Sequence, residues 1–188
     1  MKQLFKLPLI LASSSPRRKM LLDTLNIPFS VEVPNVDEAI TEAPDVMVET
    51  LSKRKALSIM NKHPHSIILG ADTLVYCDKV LGKPKTPECA REMLSLLSNK
   101  WHEVYTGITL VNTETNKIMT ESVMTRVHFV ELSSYDIEEY IMSGEPLDKA
   151  GGYAIQERAE AFIDRIEGSY SNVVGLPLAR LVAMIKQI

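Results

Sequence analysis

Two adjacent arginines, Arg17 and Arg18, stand at the start of an expected helix, directly after the serine-rich turn 13–15. A helix N-terminus carries a partial positive charge and unpaired N–H groups, so cations are unfavourable there unless an anion is bound. Guanidinium groups together with serine hydroxyls, such as that of Ser13, suit a phosphate. The segment therefore predicts a phosphate site. An ordinary helix cap whose arginines face solvent is the alternative.

An aspartate, Asp72, follows the apolar segment 66–71 at the point where a strand is expected to end. In α/β proteins, ligands gather at the carboxyl ends of strands. A carboxylate there can bind Mg²⁺ or orient a water molecule for attack. The alternative is a strand-ending turn in which Asp72 caps its own backbone. Neither a P-loop nor a GxGxxG motif is present, so a bound phosphate would be held in another way.

Two lysines are candidates for holding an anion. Lys55 interrupts an apolar helical stripe formed by Val48, Leu51 and Ile59, which is costly unless its ammonium group reaches water or an anion. Lys83 precedes a proline, which favours an extended backbone at that position. An ammonium that simply reaches solvent is the alternative for both residues.

An acidic loop and a glutamine complete the set of candidates. Asp37 and Glu38 would be solvated surface charges unless the fold brings them beside Asp72, where a second carboxylate could complete a metal site. Gln156 ends the segment 153–156, which follows two glycines. Its amide offers both a donor and an acceptor to the edge of a nucleobase, although a solvent-exposed surface glutamine is the default interpretation. The four histidines show no metal-ligand spacing.

The elements that must position these residues alternate between strands and helices. Apolar runs and helical periodicity predict an α/β fold whose one sheet contains antiparallel strands. The predicted strands are 7–12, 29–33, 66–71, a hairpin over 74–81, and the long pair 103–111 and 118–130. The predicted helices are 17–26, 45–61, 87–97, 135–142 and a last helix opened by Gly175 and Pro177.

Composition narrows the class of protein. The 188 residues suit one domain, and 45% apolar residues can form a real core. A net charge of −3 supplies no basic field for duplex DNA or an anionic membrane, and 6% aromatic residues disfavour a single-strand nucleic-acid binder. No apolar run approaches the roughly 20 residues that span a bilayer. Two cysteines without metal spacing are typical of a cytoplasmic protein with reduced thiols.

The chain resembles the Maf family in six segments that follow the family's order: LASSSPRR, ETLSKRKA, GADTLV, VLGKP, EPLDKAGGYAIQ and GSYSNVVGLPL. The forms YAIQ and GSYSNVVGLPL are more similar to the branch acting on dTTP and UTP than to the branch acting on 7-methyl-GTP. The resemblance implies a single domain over residues 1–188 with an inosine triphosphatase-like fold. That fold is a mixed sheet with antiparallel strands flanked by helices, arranged as two lobes with a central cleft.

The resemblance also implies an activity and a set of roles. A nucleoside triphosphate pyrophosphatase of this kind hydrolyses dTTP and UTP to the monophosphate and pyrophosphate, with Asp72 as the proton acceptor. A divalent cation, Mg²⁺ or Mn²⁺, would be bound by Asp72 and Glu38, and the protein would form a homodimer. The positions linked to specificity correspond to Arg17, Thr73 and Gln156. The remaining pocket positions correspond to Ser13, Arg18, Glu38, Lys55 and Lys83.

Two points stay open. Gln156 is followed by Glu157, Arg158 and Ala159, where the family more often has glycines, so the nucleobase preference is less secure than the reaction. A non-catalytic nucleotide sensor that regulates septum formation is the alternative function, since Maf relatives are associated with inhibition of that process. Such a sensor would use the same cationic pocket without needing Asp72.

Overall fold

A computed structural model describes residues 7–188. Its strands are β1 (Leu9–Ala12), β2 (Phe29–Glu32), β3 (Ile67–Cys77), β4 (Lys79–Leu81), β5 (Trp101–Asn112), β6 (Lys117–Phe129) and β7 (Ile163–Glu167). Its α-helices are α1 (Pro16–Asp23), α2 (Pro44–Ser58), α3 (Pro87–Leu97), α4 (Ser134–Met142), α5 (Tyr170–Val174) and α6 (Leu178–Ile185). Short 3-10 helices occupy Met60–Lys62, Glu145–Asp148, Ala150–Gly152 and Arg158–Phe162.

The strands form one seven-stranded mixed sheet. Its order is β2-β1-β3-β5-β6-β7, and β4 pairs with β3 outside this path. The pairs β1–β2 and β1–β3 are parallel, whereas β3–β4 and β6–β7 are antiparallel. This topology confirms the predicted α/β class with antiparallel strands in a single mixed sheet.

The chain divides into two compact units. The first comprises the described residues 7–72 together with Thr106–Val123 and Gly175–Ile188, and the second comprises Thr73–Tyr105 and Met124–Val174. In the first unit, all four residues of β1 are buried, as its continuous apolar run predicts. A core cluster joins β1, α2, β3 and β5 through Ile10, Ala12, Ala56, Ile59, Ile68 and Val111.

The core of the second unit is built around aromatic rings. Phe129 lies with its ring centroid 4.8 Å from that of Tyr153, and the ring of His102 packs edge-on against both. His102 Nε2 is 2.7 Å from the Tyr153 hydroxyl. Only 2% of His102 is exposed, and burial lowers the pKa of its imidazole to about 3. His102 is therefore a neutral core residue at physiological pH.

Most predicted elements are present, but the segment 143–174 differs from the sequence-based expectation. Neither β7 nor α5 was predicted from the sequence. The 3-10 helices between α4 and β7 have no hydrophobic periodicity from which they could be predicted. Gly151 and Gly152 interrupt this segment with φ angles of 69° and 73°, which favour glycine. The hairpin predicted over 74–81 is confirmed by the antiparallel pairing of β3 with β4, and its turn residue Asp78 has a φ angle of 58°.

The state of the two cysteines and the length of the apolar helices bear on the class of protein. Cys77 is buried and Cys89 is partly buried, and both are free thiols. Within residues 7–188, none of the helices has the combined length and apolarity that crossing a membrane requires.

The burial of His102 predicts a loss of stability in acid. The unfolded chain binds a proton at this imidazole below its ordinary pKa of 6.5, whereas the folded chain does not until about 3. Stability is therefore present above pH 6.5 and is lost as the pH falls below it, by about 2 kcal/mol at pH 5. Urea denaturation at pH 7 and pH 5 measures the change in the free energy of unfolding.

The variant His102→Gln keeps a partner for the Tyr153 hydroxyl but removes the imidazole. We expect its free energy of unfolding to fall less between pH 7 and pH 5 than that of the wild type. His65→Asn serves as the matched control and should keep the wild-type pH dependence, because it removes an exposed imidazole at a left-handed position that asparagine tolerates. An unchanged pH dependence in His102→Gln would contradict the assignment.

Candidate active site

The turn before α1 forms the predicted cap. The Ser15 hydroxyl accepts a hydrogen bond from the Arg18 backbone N–H at 3.4 Å, and Pro16 occupies the first turn of the helix. The Ser13 hydroxyl accepts from the Ser15 N–H at 3.1 Å. Side-chain acceptors thus satisfy N–H groups that the helix itself leaves unpaired. The local sequence determines where this helix begins.

The Arg18 guanidinium turns back over the start of its own helix. Its Nε donates to the Gly175 carbonyl at 2.9 Å, and its Nη1 donates to the Ser13 hydroxyl at 3.3 Å. Burial lowers the pKa of Arg18, while the carboxylate of Asp72 raises it. An arginine simply facing solvent, the alternative considered from the sequence, is therefore wrong for Arg18.

The ammonium group of Lys55 joins two carboxylates. Lys55 Nζ lies 2.5 Å from Asp72 Oδ1 and 2.7 Å from Glu38 Oε1. The Lys55 and Asp72 side chains are only 10% and 13% exposed, whereas that of Glu38 is 63% exposed. Lys55 thus reaches anions rather than solvent, and Glu38 is not merely a solvated charge of an acidic loop. Two acids that are 34 positions apart in the sequence meet at one cation.

Asp72 lies in the middle of β3, so the expectation that the strand ends at residue 71 was wrong. The parallel neighbour β1 nevertheless ends at Ala12, which pairs with Gly70. Asp72 consequently lies just beyond the carboxyl end of that neighbour, although its own strand continues. This is the location at which parallel strands present ligand-binding groups.

The reach of Lys55 depends on the close approach of α2 to β3. A Cβ at Gly70 would lie 2.2 Å from the Ser52 carbonyl oxygen and 2.9 Å from the Ala56 nitrogen. Only glycine permits this contact, and Lys55 lies in the same helical turn. The Ser52 hydroxyl also lies 2.9 Å from that of Thr109 on β5, which fixes the helix over the sheet. The sequence pattern alone did not distinguish Gly70 or Ser52 as residues that shape the site.

The structure distributes the predicted residues between the two units. The first unit brings together Ser13, Arg18, Glu38, Lys55 and Asp72, and it also contains the partly buried Arg17 on α1. The second unit contains the other three candidates: Thr73 follows Asp72 on β3, Lys83 is exposed after β4, and Gln156 is partly buried.

A backbone contact connects the two loops that carry Lys83 and Gln156. The Gly151 N–H donates to the Gly82 carbonyl at 3.0 Å. Gly151 also packs so tightly that a Cβ there would lie 2.9 Å from the Val75 side chain. The paired glycines therefore serve a close approach as well as a turn, which the sequence alone did not reveal.

The fit of the carboxylates to a divalent cation depends on their number and placement. Among residues 7–188, no group of three or more His, Cys, Asp or Glu side chains is arranged to hold a metal ion. Asp72 and Glu38, however, converge on a single positive charge. Mg²⁺ is commonly bound by one or two carboxylates together with substrate phosphate oxygens. The donor set therefore fits a cation shared with a phosphate, rather than one that the protein binds alone.

The fold and the site together define an α/β protein with carboxylates, a buried lysine and a partly buried arginine grouped beside a helix N-terminus. The family model for the Maf-like proteins matches residues 8–188. The chain belongs to this family, which confirms the resemblance noted in the sequence.

Several curated relatives match almost the whole chain. A dTTP/UTP pyrophosphatase from Bacillus cytotoxicus is 50% identical, covering 95% of this chain and 94% of its own. One from Geobacillus sp. is 48% identical, covering 96% and 97%, and one from Alkaliphilus metalliredigens is 45% identical, covering 92% of each. A solved dITP/XTP pyrophosphatase from Mycobacterium abscessus is 14% identical over 68% of this chain and 76% of its own, with a TM-score of 0.48.

The contact between α2 and β3 predicts that Gly70→Ala is strongly destabilising. The added methyl group would meet helix backbone that cannot move without displacing the Lys55 turn. We expect the free energy of unfolding to fall by about 3 kcal/mol or more, measured by urea denaturation. Gly82→Ala is the control, because a Cβ there has no neighbour within 4 Å. Equal stability of the two variants would show that the helix can adjust.

Proposed function

We propose that this protein is a nucleoside triphosphate pyrophosphatase that hydrolyses dTTP and UTP to the monophosphate and pyrophosphate. The observation that carries the proposal is the grouping of Lys55, Asp72 and Glu38 near the Arg18 guanidinium in the first unit. Three relatives named dTTP/UTP pyrophosphatase, at 45–50% identity and with more than nine-tenths of each chain covered, support it.

The cations account for binding of the triphosphate. A nucleoside triphosphate carries a charge of about −4. Each fixed cation nearby reduces the free-energy cost of holding that charge in the site. In our proposal Arg17, Arg18, Lys55 and Lys83 contact phosphate oxygens, and Ser13 donates its hydroxyl. Arg18 already donates through two of its nitrogens to Gly175 and Ser13, so its orientation is fixed in advance.

Asp72 and Glu38 would hold the divalent cation, Mg²⁺ or Mn²⁺. When bound, this ion would neutralise part of the charge on the triphosphate. Their shared contact with the Lys55 ammonium group already brings the two carboxylates close together. The protein itself therefore provides the convergence that a cation shared with the substrate needs.

The chemical step is assigned to Asp72. Its carboxylate accepts a proton from a water molecule as the oxygen attacks the α-phosphorus. The bond between the α-phosphorus and the oxygen that bridges to the β-phosphorus breaks, and pyrophosphate leaves with the electron pair of that bond. Lys55, which contacts Asp72 at 2.5 Å, holds the carboxylate in place, and the cations stabilise the charge on pyrophosphate.

Selectivity for the base is assigned to Arg17, Thr73 and Gln156. Thymine and uracil present the same edge, with a carbonyl at position 4 and an N–H at position 3, and a side-chain amide offers the complementary acceptor and donor. Cytosine presents the opposite pattern, with a donor at position 4. Because the proposed substrates are dTTP and UTP, we also propose that the protein acts in the cytoplasm.

The reaction is tested by measuring pyrophosphate release from dTTP, UTP, CTP and GTP with Mg²⁺. We expect turnover of dTTP and UTP, and Asp72→Asn should reduce it by about 10³-fold because the proton acceptor is lost. Nucleotide affinity, measured by calorimetry without a divalent cation, should remain close to that of the wild type, because the proposed metal contact is then absent from both proteins. Asp78→Asn, at an exposed turn position where asparagine is also tolerated, should keep full activity.

Two results would count against this function. If Asp72→Asn still released pyrophosphate, Asp72 would not be the proton acceptor. Saturable nucleotide binding by the wild type without turnover of any nucleotide would favour the non-catalytic sensor.

A further inference from the structure

A second lysine, Lys149, is buried in the second unit outside the group described above. Its side chain is only 7% exposed. Its Nζ lies 2.7 Å from the Glu145 carbonyl oxygen, 2.8 Å from Asp148 Oδ1 and 3.1 Å from Glu157 Oε2. An ammonium group has three donors, and three oxygens accept here. The buried charge is therefore fully satisfied.

These oxygens come from the two ends of one irregular segment. Glu145 begins it, Asp148 ends its first 3-10 helix, and Glu157 follows the glycines that give it two left-handed backbone positions. Short 3-10 turns supply few regular hydrogen bonds, so such a segment does not hold its shape by backbone pairing alone. Lys149 cross-links its beginning to its end.

The end of the segment is the part that concerns the substrate. Glu157 directly follows Gln156, the residue assigned to the base. A second ion pair closes the same segment, because Arg158 Nε lies 3.5 Å from Glu145 Oε1. The Gln156 backbone thus lies next to Glu157, whose carboxylate contacts the buried ammonium group of Lys149.

We propose that Lys149 is a positioning residue that acts through Glu157 to fix Gln156 against the nucleobase, and so sets the preference for uracil and thymine over cytosine. The inference rests on the proposed function. A buried ion pair is weak evidence for stability, since a well-packed apolar residue often replaces one without loss. It does restrict geometry, because moving Glu157 away would leave a buried ammonium short of an acceptor.

Two matched variants separate positioning from stability. Glu157→Gln and Asp148→Asn each remove one carboxylate from the same ammonium, but only the first is adjacent to Gln156. We expect Glu157→Gln to lower the ratio of kcat/KM for UTP to kcat/KM for CTP by about fivefold, the effect of one hydrogen bond to the base. Asp148→Asn should leave this ratio unchanged.

A double variant tests whether Glu157 acts through Gln156. If it does, Gln156→Ala combined with Glu157→Gln should show the same UTP-to-CTP ratio as Gln156→Ala alone, because the second change has nothing left to misplace. If Lys149→Met folds, it should lower the UTP-to-CTP ratio as Glu157→Gln does. If Lys149→Met does not fold, the result for Glu157→Gln alone tests the positioning role.

Three results would overturn the proposal: an unchanged ratio in Glu157→Gln, an equal loss in Asp148→Asn, or additive effects in the double variant. Failure of the proposed function is distinguishable, since the wild type would then release no pyrophosphate from any nucleotide. In that case the affinities for UTP and CTP would be measured in the same five variants, and their ratio would have the same expected and contradicting results.

Discussion

The ammonium group of Lys55, held between the carboxylates of Asp72 and Glu38, is the interaction on which the candidate site depends. A lysine on the apolar face of α2 would carry a large desolvation cost if it were alone. Contact with two carboxylates offsets this cost, and the same contact draws the acidic loop and β3 together. Charge balance and site assembly therefore have one physical cause.

That interaction is possible only because a helix lies against a strand at backbone distance. Gly70 removes the side chain that would separate α2 from β3, and the Ser52 hydroxyl reaches Thr109 on the next strand. Arg18 is fixed in a comparable way by the Gly175 carbonyl, which belongs to a distant part of the chain. In the first unit, Lys55 and the Arg18 guanidinium are placed by packing between elements, whereas Ser13 is held by the local turn before α1.

The accuracy of the sequence-based interpretation differed along the chain for physical reasons. Elements with a strong local signal were predicted well, such as α3 over Pro87–Leu97 and α4 over Ser134–Met142. The irregular segment after α4 was not, because the three contacts of Lys149 and the paired glycines, rather than periodicity, determine its shape. Asp72 lies just beyond the end of the neighbouring strand β1, as expected, although its own strand runs further than its apolar run.

The sequence by itself determined the α/β class, the cap of α1, the burial of β1 and the family, since these depend on local periodicity, capping chemistry and ordered motifs. Only the tertiary structure decided that Glu38 and Asp72 share Lys55, that Arg18 turns back to Ser13 and Gly175, and that Lys149 closes the segment beside Gln156. Some of these contacts join distant parts of the chain, since Arg18 and Gly175 are 157 positions apart and Lys55 and Asp72 are 17 apart. Whether a charge finds a partner there depends on which backbones can approach each other.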